Sequence, residues 1–192
     1  LYYRNSSPLN SFGDSYKLTT WGGAVRFGVP FTERDTVFFG AGYEQTQIGD
    51  DDFLPNSYFL YRQEYGPSSY ALPLTVGWAR DGRNSAIFPT EGRFYRANAE
   101  VSALGDLQYA RLNLQVQQYL ALPYNLTLGL NGEIGWGFGI GPRAYPVFKN
   151  FYSGGLGSVR VFQQGSLGVI DPTGSFVGGT RKMNANAELY IP

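Results

Sequence analysis

From Asn125 to Phe138 the chain alternates residue by residue. Leu126, Leu128, Leu130, Ile134, Trp136 and Phe138 share one parity, and Thr127, Gly129, Asn131, Glu133, Gly135 and Gly137 share the other. Successive side chains of a strand point to opposite faces, so this segment has one apolar face and one small, polar face. The period recurs at 17–30, where Trp21, Val25, Phe27 and Val29 oppose Thr20, Gly22, Ala24, Arg26 and Gly28. At 36–46, Val37, Phe39, Ala41 and Tyr43 oppose Gly40, Gly42, Glu44 and Thr46. At 70–80, Leu72, Leu74, Val76 and Trp78 oppose Pro73, Thr75, Gly77 and Ala79. Segment 93–104 sets Tyr95, Ala97, Ala99, Val101 and Ala103 against Arg96, Asn98, Glu100 and Ser102. Leu112, Leu114 and Val116 oppose Arg111, Asn113, Gln115 and Gln117, and 181–190 sets Met183, Ala185, Ala187 and Leu189 against Asn184, Asn186 and Glu188. The pattern predicts an all-β, antiparallel chain of seven strands plus a stub at 1–4. No helical period or capping pattern stands out.

A soluble sandwich alternates too, so the polar face has to decide. Here it is rich in Gly and in mixed Arg, Glu, Asn and Gln, which suits a wet lumen. The apolar face carries Trp21, Trp78, Tyr119, Trp136 and Phe138 near strand ends, which suits an interfacial aromatic girdle. The connections also alternate. Short turns are expected at 31–35 and 122–125 and a moderate one at 81–92. Between them fall 5–16, a polar loop at 48–69, a tight turn near Gly105-Asp106 and a very long link at about 141–180. Short links at one end and longer ones at the other mark outer-membrane barrels, and a link of about forty residues is usually functional. The expected fold is a transmembrane β-barrel segment, a single barrel portion spanning 1–192 with no second domain.

Composition narrows the function. The chain has no Cys and no His, and 15 basic residues balance 15 acidic ones. A zinc site, a thiol nucleophile and a Ser–His pair are therefore missing, and no basic block offers a nucleic-acid surface. No run approaches the ~20 apolar residues of a membrane helix. Slightly negative mean hydropathy is compatible with a barrel whose strands alternate apolar-out and polar-in. With no initiator Met, and Pro192 directly after a strand, the sequence reads as part of a longer polypeptide.

Few groups offer chemistry. Asp50-Asp51-Asp52 has the oxygen ligands Ca²⁺ prefers, but a solvated loop is the simpler reading. Glu44, Glu100 and Glu133 fall on the polar face with Arg26, Arg96 and Arg111, which favours structural ion pairing over acid–base work. No catalytic constellation, cofactor site or metal site is expected. In the long link, Phe151-Tyr152-Ser153-Gly154-Gly155-Leu156-Gly157-Ser158-Val159-Arg160-Val161-Phe162 lacks the Lys-Ser/Thr end of a phosphate loop. Its apolar groups around one Arg suggest a tip packed inside something, the alternative being a mobile outer loop.

At this stretch the sequence resembles the BamA-like outer-membrane assembly factors. Their loop motif Gly-Gly-x-x-Ser-Val-Arg-Gly-Phe/Tyr is matched by Gly154, Gly155, Ser158, Val159, Arg160 and Phe162, with Val161 replacing the Gly after the Arg. A second match runs from Asp81 to Gly92, where Asp81, Phe88, Pro89, Thr90 and Gly92 fit the family's Asp-x6-Phe-Pro-Thr-x-Gly turn. Asn84 stands there where an Asp is common, and Pro/Gly turn chemistry alone would also explain the segment. The resemblance covers nearly the whole chain. It implies the end of the fifth strand through the twelfth of a sixteen-stranded barrel. It also implies that Arg160 reaches into the lumen to an acidic wall residue, Glu188 standing at the matching place; Arg181 is the competing partner for Glu188.

The function implied is non-enzymatic insertion of outer-membrane proteins. Outer-membrane lipid and nascent β-barrel proteins are the implied partners. Periplasmic POTRA modules and BAM lipoproteins would contribute through parts outside this chain, as would the first and final strands. The alternatives are a two-partner secretion transporter of the hemolysin-activator type and a passive porin or surface-binding barrel. An outer-membrane hydrolase would need residues this chain lacks.

Overall fold

The computed structural model describes residues 1–6, 16–50, 52 and 54–191. Most of the 5–16 link, and Asp51 of the acidic triplet, lie outside the described residues. The elements are β1 (Tyr2–Ser6), β2 (Leu18–Pro30), β3 (Asp35–Ile48), α1 (Asn56–Tyr65), β4 (Ser68–Ala71), β5 (Leu74–Asp81), β6 (Gly92–Ser102), β7 (Tyr109–Ala121), β8 (Thr127–Gly139), β9 (Val169–Ile170), β10 (Phe176–Gly178) and β11 (Arg181–Tyr190). One antiparallel sheet runs β1-β2-β3-β5-β6-β7-β8-β11, with β4 paired to β3, and β9 and β10 form a separate small hairpin. The eight-strand path corresponds to the seven strands and stub that the alternation predicts.

Three features depart from the sequence reading. The 70–80 segment is divided, because Pro73 has no N–H to give the ladder. Its carbonyl still accepts from Gly42 N at 2.9 Å, and Glu44↔Ala71 and Ala41↔Leu74 keep one register across the gap. The 48–69 link holds helix α1, which turns Tyr58 and Tyr61 inward. Its first N–H, on Asn56, donates to the Asp171 carboxylate. A side chain distant in sequence therefore caps this helix, a contact no local motif signals. Finally, the long link is not structureless: it carries β9 and β10 and packs closely against the sheet.

All the long connections, with α1, lie at one end of the strands, and the turns at 31–34, 82–91 and 122–126 lie at the other. Above the long-loop end, Tyr16, Ile48, Leu54, Tyr58, Tyr61, Leu107, Tyr109 and Val177 form the buried core, with Tyr65, Tyr145 and Phe148 packed on it. The sheet's own apolar face has no such cover among the described residues. Val25 is 59% exposed, Phe27 65%, Leu74 62% and Trp136 50%. A water-soluble sandwich would bury this face against a second sheet. An uncovered band of this extent requires an apolar surrounding.

Candidate functional site

The long loop is seated on the opposite, glycine-rich face. Gly135 faces the Phe151 ring, and Gly137 lies under the Tyr145 ring. The guanidinium of Arg111 covers Phe151 from β7, 4.2 Å from the ring centre. Small residues on this face thus leave room for loop aromatics to approach the wall.

Polar contacts fix the loop along β11. Ser153 Oγ donates to Asn184 Oδ1 at 2.9 Å, and Asn186 Nδ2 donates to the Ser158 carbonyl at 2.7 Å. Arg160 Nη2 stands 3.0 Å from the Glu188 carboxylate, which also accepts from Tyr190 OH at 2.7 Å. Arg181 occupies the other parity of β11 and stacks over Trp136, 5.2 Å from the ring centre, so it is turned away from Glu188.

The tip is a compact turn. Gly154 N donates to Ser158 Oγ at 2.7 Å, Gly155 N to the Phe162 carbonyl at 2.9 Å, and Phe162 N to the Val159 carbonyl at 3.2 Å. Gly154 and Gly155 have φ of +108° and +90°, where a side chain would be strained. Val161 is not among the residues with positive φ. The tip therefore closes without needing a glycine there. Val161 itself is exposed, whereas Phe162 is partly covered.

A second ionic contact, not singled out by sequence reasoning, holds the first half of the loop. Lys149 Nζ is 2.8 Å from Glu44 Oε1 on β3 and 3.4 Å from Glu100 Oε1 on β6. Tyr2 OH donates to Glu44 at 2.9 Å, and Tyr109 OH donates to Glu100 at 2.5 Å. Glu133 pairs with Lys182 at 2.8 Å. The three lumenal glutamates thus take lysines, correcting the expected Arg26, Arg96 and Arg111. Those arginines lie over rings instead, at Phe38, Phe94 and Phe151. A loop lysine reaching a strand carboxylate has no sequence signature.

At the other end, the 82–91 turn is closed by side chains. Arg83 Nε and Nη2 donate to Asp81 at 2.9 and 2.7 Å, and Arg83 also covers the Phe94 ring. Asn84 Oδ1 accepts from the N–H groups of Thr90 (3.0 Å) and Glu91 (3.2 Å), and Asn84 Nδ2 donates to Thr90 Oγ1 at 2.6 Å. Phe88 is exposed, and Pro89 and Thr90 help line a small hollow with Tyr119 and Tyr190. Gly92 has φ +107°. In the outer loops Asp50 pairs with Arg62, which holds its carboxyl below the usual range. Among the described residues no group of three metal-ligating side chains comes together.

An antiparallel membrane-barrel wall with an outer loop folded onto its inner face is the class this geometry defines. The chain belongs to the Omp85 superfamily, whose domain matches residues 1–192. It is 37% identical over 191 residues to the outer membrane protein assembly factor BamA of Neisseria meningitidis, covering 92% of this chain and 24% of that protein. It is 31% identical over 138 residues to the mouse sorting and assembly machinery component 50 homolog, covering 70% of this chain and 29% of that protein. A crystal structure of BamA from Haemophilus ducreyi lacking POTRA domains 1–3 superposes with a TM-score of 0.87 at 22% identity, covering 99% of this chain and 40% of that one. The chain spans about a quarter of the length of the curated relatives it matches. It is a stretch of outer-membrane β-barrel.

Proposed function

We propose that this wall and its seated loop serve a non-enzymatic insertase that folds other β-barrel proteins into the bacterial outer membrane. The observation that carries the reading is the Gly154–Phe162 tip lying on the inner face with Arg160 against Glu188, in a chain 37% identical to an assembly factor. Arg160 acts as a loop anchor: charge-assisted contacts to a carboxylate are directional and fix orientation. The substrates are nascent outer-membrane barrels. BAM lipoproteins are partners through other parts of the parent protein. A composition with no His and no Cys supports a role without bond-making chemistry.

The test uses the full-length parent protein in liposomes, with an unfolded outer-membrane barrel added and its protease-resistant folded form followed over time. Folding faster than on empty liposomes is the expected result. Equal rates, combined with export of a single soluble client, would place the parent among secretion transporters instead.

A further inference from the structure

At the short-turn end, on the lipid-facing side of the sheet, lies a recess of about 520 Å³ between β3, β5 and β6. Its walls include Arg34, Arg80 and Arg93 beside Trp78 and Tyr95. Strand parity puts Arg80 on the same face as Val76 and Trp78, and Arg93 on that of Tyr95. The ladder brings the three arginines onto neighbouring strands: Arg80 pairs across from both Asp35 and Tyr95, Gly82 N donates to the Arg93 carbonyl, and Asp81 N donates to the Arg34 carbonyl. The Trp78 and Tyr95 rings stack 6.3 Å apart at 15° and form the edge of the apolar band.

The positive charge here is poorly compensated. Asp35 accepts from Trp78 Nε1 at 3.1 Å and Thr32 Oγ1 at 2.7 Å, and its contact to Arg80 is a loose 3.7 Å. Asp81 is held by Arg83 on the other face. Among the described residues no ion pair joins Arg34 or Arg93 to a carboxylate. Guanidiniums directly beneath an apolar band, flanked by interfacial aromatics, meet the layer where lipid phosphates lie. Arg presents forked donors that match phosphate oxygens.

We infer that Arg34, Arg80 and Arg93 form a binding site for the phosphate headgroup of an anionic phospholipid in the leaflet at the short-turn end. The acyl chains would run along the Val76, Trp78 and Ala97 side of the wall. This rests on the wall facing lipid and not on insertase activity.

The test is native mass spectrometry of the full-length protein in detergent, titrated with phosphatidylglycerol and, separately, with phosphatidylcholine of the same chains. Phosphatidylglycerol should bind more tightly. Arg34→Gln and Arg93→Gln should each weaken it by about five-fold, the weight of one basic residue near an anionic headgroup. The Arg34→Gln/Arg80→Gln/Arg93→Gln variant should lose the preference, with heat-modifiable gel migration reporting whether each variant is folded. The single variants carry the test if the triple variant does not fold. Equal binding of the two lipids, or single variants that hold phosphatidylglycerol like the wild type, would overturn the site. Displacement of the lipid by inorganic phosphate alone would overturn its assignment to lipid. Insertion assays on the same preparations report separately on the proposed function.

Discussion

The Phe151 ring rests directly on Gly135: a Cβ built on that glycine would lie 2.7 Å from Phe151 Cε1. Phe151 is 6% exposed, with Arg111 on its other side, so the ring has nowhere to retreat without breaking that stack. Gly135→Val should therefore unseat the loop and leave the strand ladder intact. Overpacking of this kind costs about 1–3 kcal/mol. Limited proteolysis of the full-length protein should show faster cleavage within 150–165 while the barrel keeps its heat-modifiable migration. Unchanged cleavage would mean the seat is not what holds the loop.

The two ionic contacts of the loop are unequal. Lys149 is 12% exposed between Glu44 and Glu100, whereas Arg160 is 62% exposed against Glu188. Removing a buried partner strands charge, at about 3–5 kcal/mol. An exposed pair contributes about 1 kcal/mol or less. Lys149→Met should therefore destabilise the seated loop more than Arg160→Met. Adding Glu44→Gln should recover part of the Lys149→Met loss. Hydrogen–deuterium exchange across 145–162 in the full-length protein reads both effects. A larger effect for Arg160→Met would reverse the ranking.

The wall was legible in the sequence because a strand's period is local: Leu128, Trp136 and Phe138 announce their face without reference to anything distant. The Arg160 tip was legible because its glycines, serine and arginine are contiguous. What escaped depends on contacts between separate segments. The cap of α1 comes from Asp171, and the partners of Glu44 and Glu100 come from Lys149. Helix α1 did leave a trace in the Tyr58, Tyr61 and Tyr65 spacing between Pro55 and Gly66. That trace is short and lies in a link otherwise read as polar.

The cap over the long-loop end should open in alkali. Burial raises the Tyr61 and Tyr145 phenols from 10.0 to about 12, and pushes Tyr58 well above 10.0. A phenol raised in the folded state stays protonated after its unfolded counterpart has ionised. Its stabilising contribution is complete below pH 10 and falls as pH rises toward about 12. Tyrosinate absorbance and loop proteolysis should change together in that window, and Tyr58→Phe should shift the onset upward. Opening well below pH 10, or none by pH 12, would contradict the packing.

The 82–91 turn separates two reasons for a residue to occupy its place. Asn84 serves through its oxygen, which accepts the N–H groups of Thr90 and Glu91. An Asp keeps both acceptors, so Asn84→Asp should be close to neutral, with loss of the Nδ2 bond to Thr90 Oγ1 offset by stronger, charge-assisted acceptance. Asn84→Ala leaves two donors unmet and should cost about 1–3 kcal/mol where they cannot reach water, and less where they can. Gly92 serves through its backbone. Its φ of +107° strains any side chain, and a Cβ would collide with the Gly82 carbonyl. Gly92→Ala should therefore be the most damaging of the three, because strain and collision add and neither is relieved by water. Thermal loss of the heat-modifiable folded form orders the variants. Gly92→Ala ranking milder than Asn84→Ala would show that the turn relaxes more readily than its backbone geometry implies.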